Sequence, residues 1–155
     1  MTEWLRPPFS VSTDKTRLQI DVIYGFLRAS YWSPHIPCEV VERSIDNSLC
    51  FGLYREHRQL GFARVVSDFA TFAYLADVFV LEAWRGLGLS KFMMECIKCH
   101  PKLQNLKRWS LATRDAHGLY AKFGFAPPRK PEYAMEIVDM RVLASWQTTE
   151  RGALP

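Results

Sequence analysis

Residues 77–90 read DVFVLEAWRGLGLS, an apolar run followed by a short polar connection and a basic turn with two glycines. Past the turn, apolar residues recur at the spacing of one face of an α-helix. They are Leu89, Phe92, Met93, Cys96 and Ile97. This order predicts a strand, a glycine-containing turn and a helix, and the other elements of the chain are placed around that unit.

The turn between this strand and helix has the composition of an anion-binding site. The first amide groups of a helix have no partner within it, and the helix dipole places partial positive charge there. Gly86 and Gly88 let the backbone approach a ligand closely, and Arg85 adds a full charge. We therefore expect the turn to bind a phosphate group, the alternative being a plain turn that uses glycine only for its conformation.

The glycine pattern differs from two common nucleotide-binding motifs. A P-loop needs a Gly-Lys-Ser/Thr ending, and the dinucleotide fingerprint needs a third glycine where Lys91 stands. Residues 85–90, RGLGLS, instead resemble the Arg-x-x-Gly-x-Gly/Ala loop with which the GNAT N-acetyltransferases bind the pyrophosphate of acetyl-CoA. Ser90 departs from the family's usual Gly or Ala, but it is small and its hydroxyl could donate to a phosphate.

A second segment, LYAKFGF at residues 119–125, resembles the Leu-Tyr-x-x-x-Gly-Phe signature that ends the last helix of the same family. The predicted element order over residues 9–142 is β-α-α-β-β-β-α-β-α-β, which is the GNAT order. The resemblance therefore implies an α/β (α+β) GNAT fold. Its mixed, mostly antiparallel sheet would have about six to seven strands, flanked by about four helices.

Periodicity and turn residues predict the individual elements. The predicted strands are residues 9–12, 49–54, 60–66, 72–81, 109–113 and 135–142. Besides the helix after the glycine turn, we expect a helix after Thr13 and Asp14. A second begins near Pro37, with Cys38, Val41 and Ile45 facing inward. A third, short helix is capped by Asp115 and ended by Gly124. Residues 1–155 form one GNAT domain in this interpretation, and residues 144–155 an irregular tail.

Composition limits the classes of function. The 155 residues are 48% hydrophobic, but no apolar run reaches membrane-spanning length, and the N-terminus has no apolar signal region, so we expect a cytoplasmic protein without membrane contact. The net charge of +4 suits an anionic ligand, and the scattered basic residues give no nucleic-acid stripe. Cys96 and Cys99 are interpreted as thiols rather than a metal or redox pair, and no metal is expected.

The resemblance implies acetyl transfer from acetyl-CoA, used as a co-substrate, to a primary amine. Arg85, Ser90 and Lys91 would assist the pyrophosphate, whose main donors would be the backbone amides of Gly86, Leu87, Gly88 and Leu89. By the same resemblance, the backbone of Val78, Phe79 and Val80 would bond the pantetheine arm where this strand separates from its neighbour. One of these amides would face the thioester oxygen.

Two side chains are the candidate catalytic groups. Tyr120 would donate a proton to the departing thiolate, since a phenol is protonated at neutral pH; the alternative is a core aromatic. Asp77 interrupts an apolar strand, where an unpaired carboxylate is costly. It would serve as a base or a cation anchor, or it would be a structural partner of Arg64 or Arg114. His117 is a second candidate base, with a surface role as the alternative.

The binding site for the amine that accepts the acetyl group is assigned to the aromatic segment between the first two helices. Tyr31, Trp32 and His35 would line its pocket, or else fill the gap between the helices. We favour a small-molecule amine, because the chain is small and has no charged docking tail. A protein acetyltransferase acting on a lysine or an N-terminus, and a non-catalytic acyl-CoA-binding module, remain the alternatives. A homodimer is possible.

Overall fold

The computed structural model describes residues 1–151, with side chains described through residue 148. Its six strands are β1 (Glu3–Arg6), β2 (Phe9–Ser12), β3 (Leu49–Arg55), β4 (Arg58–Ser67), β5 (Phe72–Val80) and β6 (Arg108–Ser110). Its α-helices are α1 (Ile20–Leu27), α2 (Cys38–Asp46), α3 (Leu89–Cys99), α4 (His117–Ala121) and α5 (Met140–Arg151). The α/β class and the mixed, mostly antiparallel sheet are confirmed.

The six strands form one sheet in the order β1-β2-β3-β4-β5-β6. Neighbours are antiparallel except β5 and β6, which are parallel because the chain crosses over through α3 between them. Helices cover both faces, so neighbouring residues of β3 enter different cores. Phe51 joins the cluster that includes α3, whereas Cys50 joins the cluster under α1 and α2. The functional turn lies where β5 leaves the sheet to start α3.

The N-terminal strand β1 is absent from the sequence prediction. It pairs with β2 as a hairpin around Pro7 and Pro8, with Trp4 opposite Val11. Trp4 is the only residue of β1 that is partly buried, and its ring stacks on Phe51. An edge strand with one inward side chain shows no apolar alternation, so its sequence carries little strand signal.

The prediction for the C-terminus is wrong. Residues 134–139 lie in no regular element where a strand over residues 135–142 was expected. The chain then forms α5, where an irregular tail was expected from Ala144. Among the α5 residues whose side chains are described, up to Thr148, only Leu143 and Trp146 are partly buried. Trp146 packs against the α1/α2 cluster, and so narrow an apolar stripe is hard to recognise from sequence. The part of the predicted tail at residues 152–155 lies outside the described residues.

Helix ends also differ in detail from the predictions. Asp14 caps a short 3-10 helix (Lys15–Arg17) rather than α1, accepting from the amide of Thr16. At α4, Thr113 rather than Asp115 accepts a terminal amide, that of Ala116. Val41 and Ile45 of α2 are buried as expected. None of the helices within residues 1–151 has the length and apolar character that crossing a membrane requires.

Candidate active site

The turn between β5 and α3 is an open backbone loop. Gly86 and Gly88 have φ angles of 81° and 71°, and Gly88 is the residue that caps α3. Side chains other than glycine are disfavoured in this left-handed region. A β-carbon built at Gly86 would meet nothing within 4 Å, so the glycine is required by conformation and the surrounding space is free. The turn therefore leaves room for a ligand at the helix N-terminus.

A cavity of about 300 Å³ opens at this turn. It is lined by Val80, Trp84, Arg85, Gly86, Gly88, Leu89, Ser90, Lys91, Leu119 and Lys122. Every charged residue in that described lining is basic, so the cavity combines helix N-terminal amides with cationic side chains. This combination favours a phosphate or pyrophosphate over a neutral ligand.

Sequence reasoning missed two of the cations near the turn. Lys122 reaches the cavity from α4, one turn after Leu119, and both occupy positions in the second family signature. Arg6 comes from β1, and its Nη1 lies 3.5 Å from the carbonyl oxygen of Gly88. The spacing of Leu119 and Lys122 could have revealed the first. Nothing in the local sequence brings β1 to the turn, because that proximity depends on the whole sheet.

The side chain of Arg85 fixes the turn to the end of β5. Its Nε donates to the carbonyl oxygen of Val80 at 3.0 Å. The guanidinium is thereby held along the wall of the cavity. This position is the one required if Arg85 is to assist phosphate binding by its charge, as predicted. Lys91 is held less firmly, because among the described residues its ammonium pairs only with Glu95, on the exposed side of the same helix at 3.9 Å.

Beyond Tyr74, strand β5 continues without β6 beside it. The two strands pair only from Phe72–Arg108 to Tyr74–Ser110, whereas β5 runs on to Val80. The amide of Leu81 donates to Leu60 on the β4 side. Since backbone groups alternate along a strand, the amides of Val80 and Val78 face the open side. A gap lined by unpaired backbone therefore lies next to the cavity.

Phe79 is placed differently from its two neighbours. It lies opposite Phe62 of β4, and the same alternation turns its amide toward that strand rather than into the gap. Its ring stacks on Phe26 of α1, with 3.9 Å between ring centroids. Of the three residues predicted to bond a pantetheine arm, the geometry therefore suits Val78 and Val80 and gives Phe79 a packing role.

Asp77 lies at an irregularity of β5, with a φ angle of 54°. Its Oδ2 pairs with Arg64 Nε at 2.5 Å, and its Oδ1 accepts from Trp32 Nε1 at 3.0 Å. Its side chain is only 7% exposed. Of the two structural partners considered, Arg64 is the one it contacts, while Arg114 pairs with the adjacent Asp115. The carboxylate ties Trp32 to the sheet, and a role as base remains a prediction.

The substitution Asp77→Asn separates these roles. Asparagine keeps the shape, tolerates a positive φ and can still accept from Trp32, but it removes the charge facing Arg64. We expect the free energy of unfolding to fall by about 2–3 kcal/mol, less than for a fully buried pair because Arg64 is partly exposed. Urea unfolding measures this loss. Unchanged stability together with a large loss of turnover would instead support the base.

Tyr120 lies on α4 next to Leu119 of the cavity lining, but it is not itself one of the residues that line the cavity. It is 9% exposed and packs edge-on against Phe125. Burial, with smaller contributions from the nearby Tyr31 and Asp115, raises the pKa of its phenol to about 12. The ring belongs to the core cluster around α3, so the packing alternative is also satisfied. A phenol with this pKa is a proton donor at neutral pH.

The raised pKa of Tyr120 has a consequence for the pH profile. The protonated phenol is the donor, and it persists at every pH below about 12. We therefore expect kcat to show no decline from loss of this proton between about pH 8 and pH 10. Steady-state rates at saturating acetyl-CoA and amine measure this. A decline of kcat with an apparent pKa near 10 would contradict the assignment.

The segment between α1 and α2 brings two of the three predicted acceptor residues together. The Tyr31 hydroxyl accepts from the amide of Arg114, whose guanidinium lies 3.9 Å from the Tyr31 ring centroid. Trp32 packs edge-on against Tyr31 with 5.0 Å between ring centroids. His35 lies in the following turn with a φ angle of 61°, and its amide donates to Arg28.

Two contacts therefore join this segment to the candidate site. Tyr31 is close enough to Tyr120 to influence its pKa, and Trp32 binds Asp77 on β5. Arg114 was considered only as a partner of Asp77, whereas it covers Tyr31. The other candidate base, His117, is exposed as the first residue of α4, which agrees with its surface alternative.

The chain matches the protein family described as Acetyltransferase (GNAT) domain over residues 46–127, which includes the glycine turn and Tyr120. A protein of Gibberella zeae described as an acetyltransferase is 31% identical over 142 residues. That alignment covers 77% of this chain and 79% of the relative.

Two solved structures extend the comparison. A protein from Xanthomonas campestris pv. campestris, assigned to the GNAT acetyltransferases, is 52% identical with a TM-score of 0.83, and the match covers 84% of this chain and 93% of that one. An acetyltransferase from Clostridium acetobutylicum, solved with acetyl-CoA, is 12% identical with a TM-score of 0.60, covering 84% and 94%. At 12% identity the likeness shows the fold alone.

Proposed function

Because this chain belongs to the GNAT acetyltransferase family, we propose that it transfers an acetyl group from acetyl-CoA to a primary amine of a small molecule. The amine would attack the thioester directly while both substrates are bound. The observation that carries the proposal is the basic cavity at the N-terminus of α3, next to the gap between β5 and β6. The Clostridium acetobutylicum structure, which shares this fold, contains acetyl-CoA, the donor proposed here.

The donor site is assigned to the turn and the end of β5. The amides of residues 86–89 bind the pyrophosphate, and Arg85, Lys91 and Lys122 balance its charge. The open-side groups of Val78 and Val80 bond the pantetheine arm in strand fashion. Arg85 already donates to the carbonyl oxygen of Val80. The groups that remain available to the pantetheine arm are therefore the amide of Val80 and the backbone of Val78. One of these amides stabilises negative charge on the thioester oxygen.

Tyr120 completes the proposed chemistry. The thiol of CoA leaves as a thiolate when the amine takes the acetyl group, and the Tyr120 hydroxyl gives that sulfur its proton. The buried position of Tyr120 keeps the phenol protonated until that step. The attacking nitrogen loses one proton as the amide forms, and that proton, or one from solvent, restores the Tyr120 phenol.

A small acceptor is supported by the contacts of Tyr31 and Trp32. Tyr31 is tied to Arg114 and Trp32 to Asp77, so the segment is held over the end of β5. Both rings stay exposed, Tyr31 at 44% and Trp32 at 38%, so they are accessible to an amine substrate, and the preference for a small acceptor is part of the proposal.

Release of free thiol from acetyl-CoA, followed with a panel of amines, tests the function. We expect small primary amines to accelerate release well above the rate without amine. Lysine-containing peptides serve as the second panel, and faster turnover on them would identify a protein acetyltransferase. If CoA binds but neither panel accelerates thiol release, the chain is an acyl-CoA-binding module and the catalytic proposal is wrong.

A further inference from the structure

The acceptor side of the site is built from three segments of the chain that contact one another. Asp77 of β5 accepts a hydrogen bond from Trp32 in the segment between α1 and α2. The neighbouring Tyr31 packs edge-on against Trp32 and accepts from the amide of Arg114, in the loop between β6 and α4. These four residues, here named the acceptor rim, form one connected group next to the gap between β5 and β6.

The carboxylates at the acceptor rim are already paired with cations. Asp77 is nearly buried, its Oδ2 pairs with Arg64, and its Oδ1 accepts from Trp32. Asp115, the residue after Arg114, pairs with the Arg114 guanidinium at 3.2 Å. Neither carboxylate is therefore left without a partner to hold a protonated amine. The rim is poorly suited to recognising an acceptor by positive charge alone.

The guanidinium of Arg114 is the cation of the rim that a ligand can reach. Its side chain is 65% exposed, and its salt bridge to the exposed Asp115 uses Nη2 alone. An exposed ion pair of this kind contributes little to stability, so a ligand can compete with it. Nε and Nη1 of Arg114 donate to no acceptor in the described part of the chain. A guanidinium with free N–H groups on one side binds a carboxylate through two parallel hydrogen bonds.

The hydroxyl of Tyr31 adds a second donor next to this guanidinium. Its oxygen accepts from the Arg114 amide, so its own proton is available, and no acceptor for that proton is found among the described residues. The guanidinium carbon lies 3.9 Å from the centroid of the Tyr31 ring, which places the two donor groups side by side. Two adjacent donors that lack acceptors are complementary to an anionic group on the acceptor.

The number of donors and the surrounding rings favour a carboxylate over a phosphate. A phosphate group carries nearly two negative charges and is typically bound by several cations or by helix amides, as proposed for the turn before α3. The acceptor rim supplies one guanidinium and one hydroxyl, which suit the single charge of a carboxylate. Next to them, the exposed rings of Tyr31 and Trp32 offer an apolar surface to the rest of the acceptor.

We propose that the acceptor is an amine that also carries a carboxylate, such as an amino acid with an apolar side chain. Arg114 and Tyr31 bind the carboxylate, Trp32 contacts the apolar part, and the amino group attacks the thioester. The nitrogen–carbon bond forms, the carbon–sulfur bond breaks, the nitrogen loses a proton and the sulfur of CoA gains one. The inference rests on the proposed acetyl transfer and names the substrate class of the same site.

Pairs of amines that differ only in the carboxylate test the proposal. Phenylalanine is compared with 2-phenylethylamine and leucine with 3-methylbutylamine, and kcat/KM for thiol release is corrected for the fraction of free amine. The native protein is expected to prefer the carboxylated member of a pair by about tenfold or more. Arg114→Gln is expected to lower kcat/KM for the carboxylated member about 30-fold more than for its partner, mainly through KM, because a charged hydrogen bond is lost.

Arg108→Gln is the matched control, since it removes the same charge from an exposed residue at the start of β6 and should keep the native preference. A native protein without preference for the carboxylate, or a preference that Arg114→Gln leaves intact, would overturn the inference while acetyl transfer stands. Faster turnover of O-phosphoethanolamine than of every carboxylated amine would overturn the choice of a carboxylate. If no amine accelerates thiol release, the proposed function itself is wrong, and the inference is wrong with it.

Discussion

Gly88→Asp is expected to weaken binding of CoA by about 100-fold, because it places a carboxylate where the pyrophosphate is proposed to sit. Two negative unit charges about 4 Å apart repel each other by up to about 4 kcal/mol near a protein surface. A tenfold loss of affinity corresponds to about 1.4 kcal/mol. A β-carbon at Gly88 would meet nothing closer than the Arg6 guanidinium at 3.9 Å, so the side chain has room. Isothermal titration calorimetry measures the loss.

Gly88→Asn is the isosteric control for that experiment. Asparagine and aspartate both tolerate the positive φ of 71° at this position, so they share any backbone strain and differ in charge. We expect the asparagine variant to lose at most about tenfold in affinity. Gly25→Asp adds the same charge on exposed α1, outside the cavity, and should bind CoA normally. Equal affinities for the Asp and Asn variants would remove the turn from the site.

Tyr120→Phe is expected to lower kcat by about 100-fold or more while leaving the affinity for CoA unchanged. The substitution removes only the hydroxyl, and the remaining ring still packs against Phe125 in the core. Because no hydrogen bond of the Tyr120 hydroxyl is found among the described residues, its removal should leave the stability close to that of the native protein. Turnover measures the rate, calorimetry the affinity for CoA and thermal unfolding the stability. Together they distinguish loss of the general acid from unfolding of the variant.

Tyr74→Phe is the matched control, since Tyr74 is partly exposed on β5 outside the cavity lining. Its kcat should equal that of the native protein. If Tyr120→Phe retains the native kcat, then Tyr120 is a packing residue and the thiolate obtains its proton elsewhere. A variant that loses affinity for CoA in proportion to kcat would likewise contradict a role confined to proton transfer.

The local part of the site could be predicted from sequence. The glycine turn, the helix after it and the strand before it depend on residues that are neighbours in the chain, and their order was correct. The pairing of Asp77 with Arg64 was foreseen as one alternative, because both residues lie on adjacent predicted strands. The likeness of residues 85–90 and 119–125 to the GNAT signatures then identified the fold.

The remainder depends on contacts between distant segments. Arg6 and Arg114 reach the site from β1 and from the loop before α4, and no spacing in the sequence places them there. Lys122 enters the cavity from the end of α4, and its spacing from Leu119 could have revealed it. The prediction of a C-terminal strand over residues 135–142 was wrong for a physical reason. The alternation of Met135 and Ile137 is a strand signal, but a strand forms only when another strand pairs with it, and none pairs with residues 135–138 in the described part of the chain.

Backbone amide NMR of the 18.0 kDa protein, titrated with CoA, tests the central claim most directly, because it observes the proposed donors themselves. The account predicts large, saturable shifts at the amides of Gly86, Leu87, Gly88 and Leu89, with smaller ones at Val78 and Val80. Amides of the β3–β4 hairpin should not move. Saturable shifts confined to another surface, or no shifts at excess CoA, would contradict it.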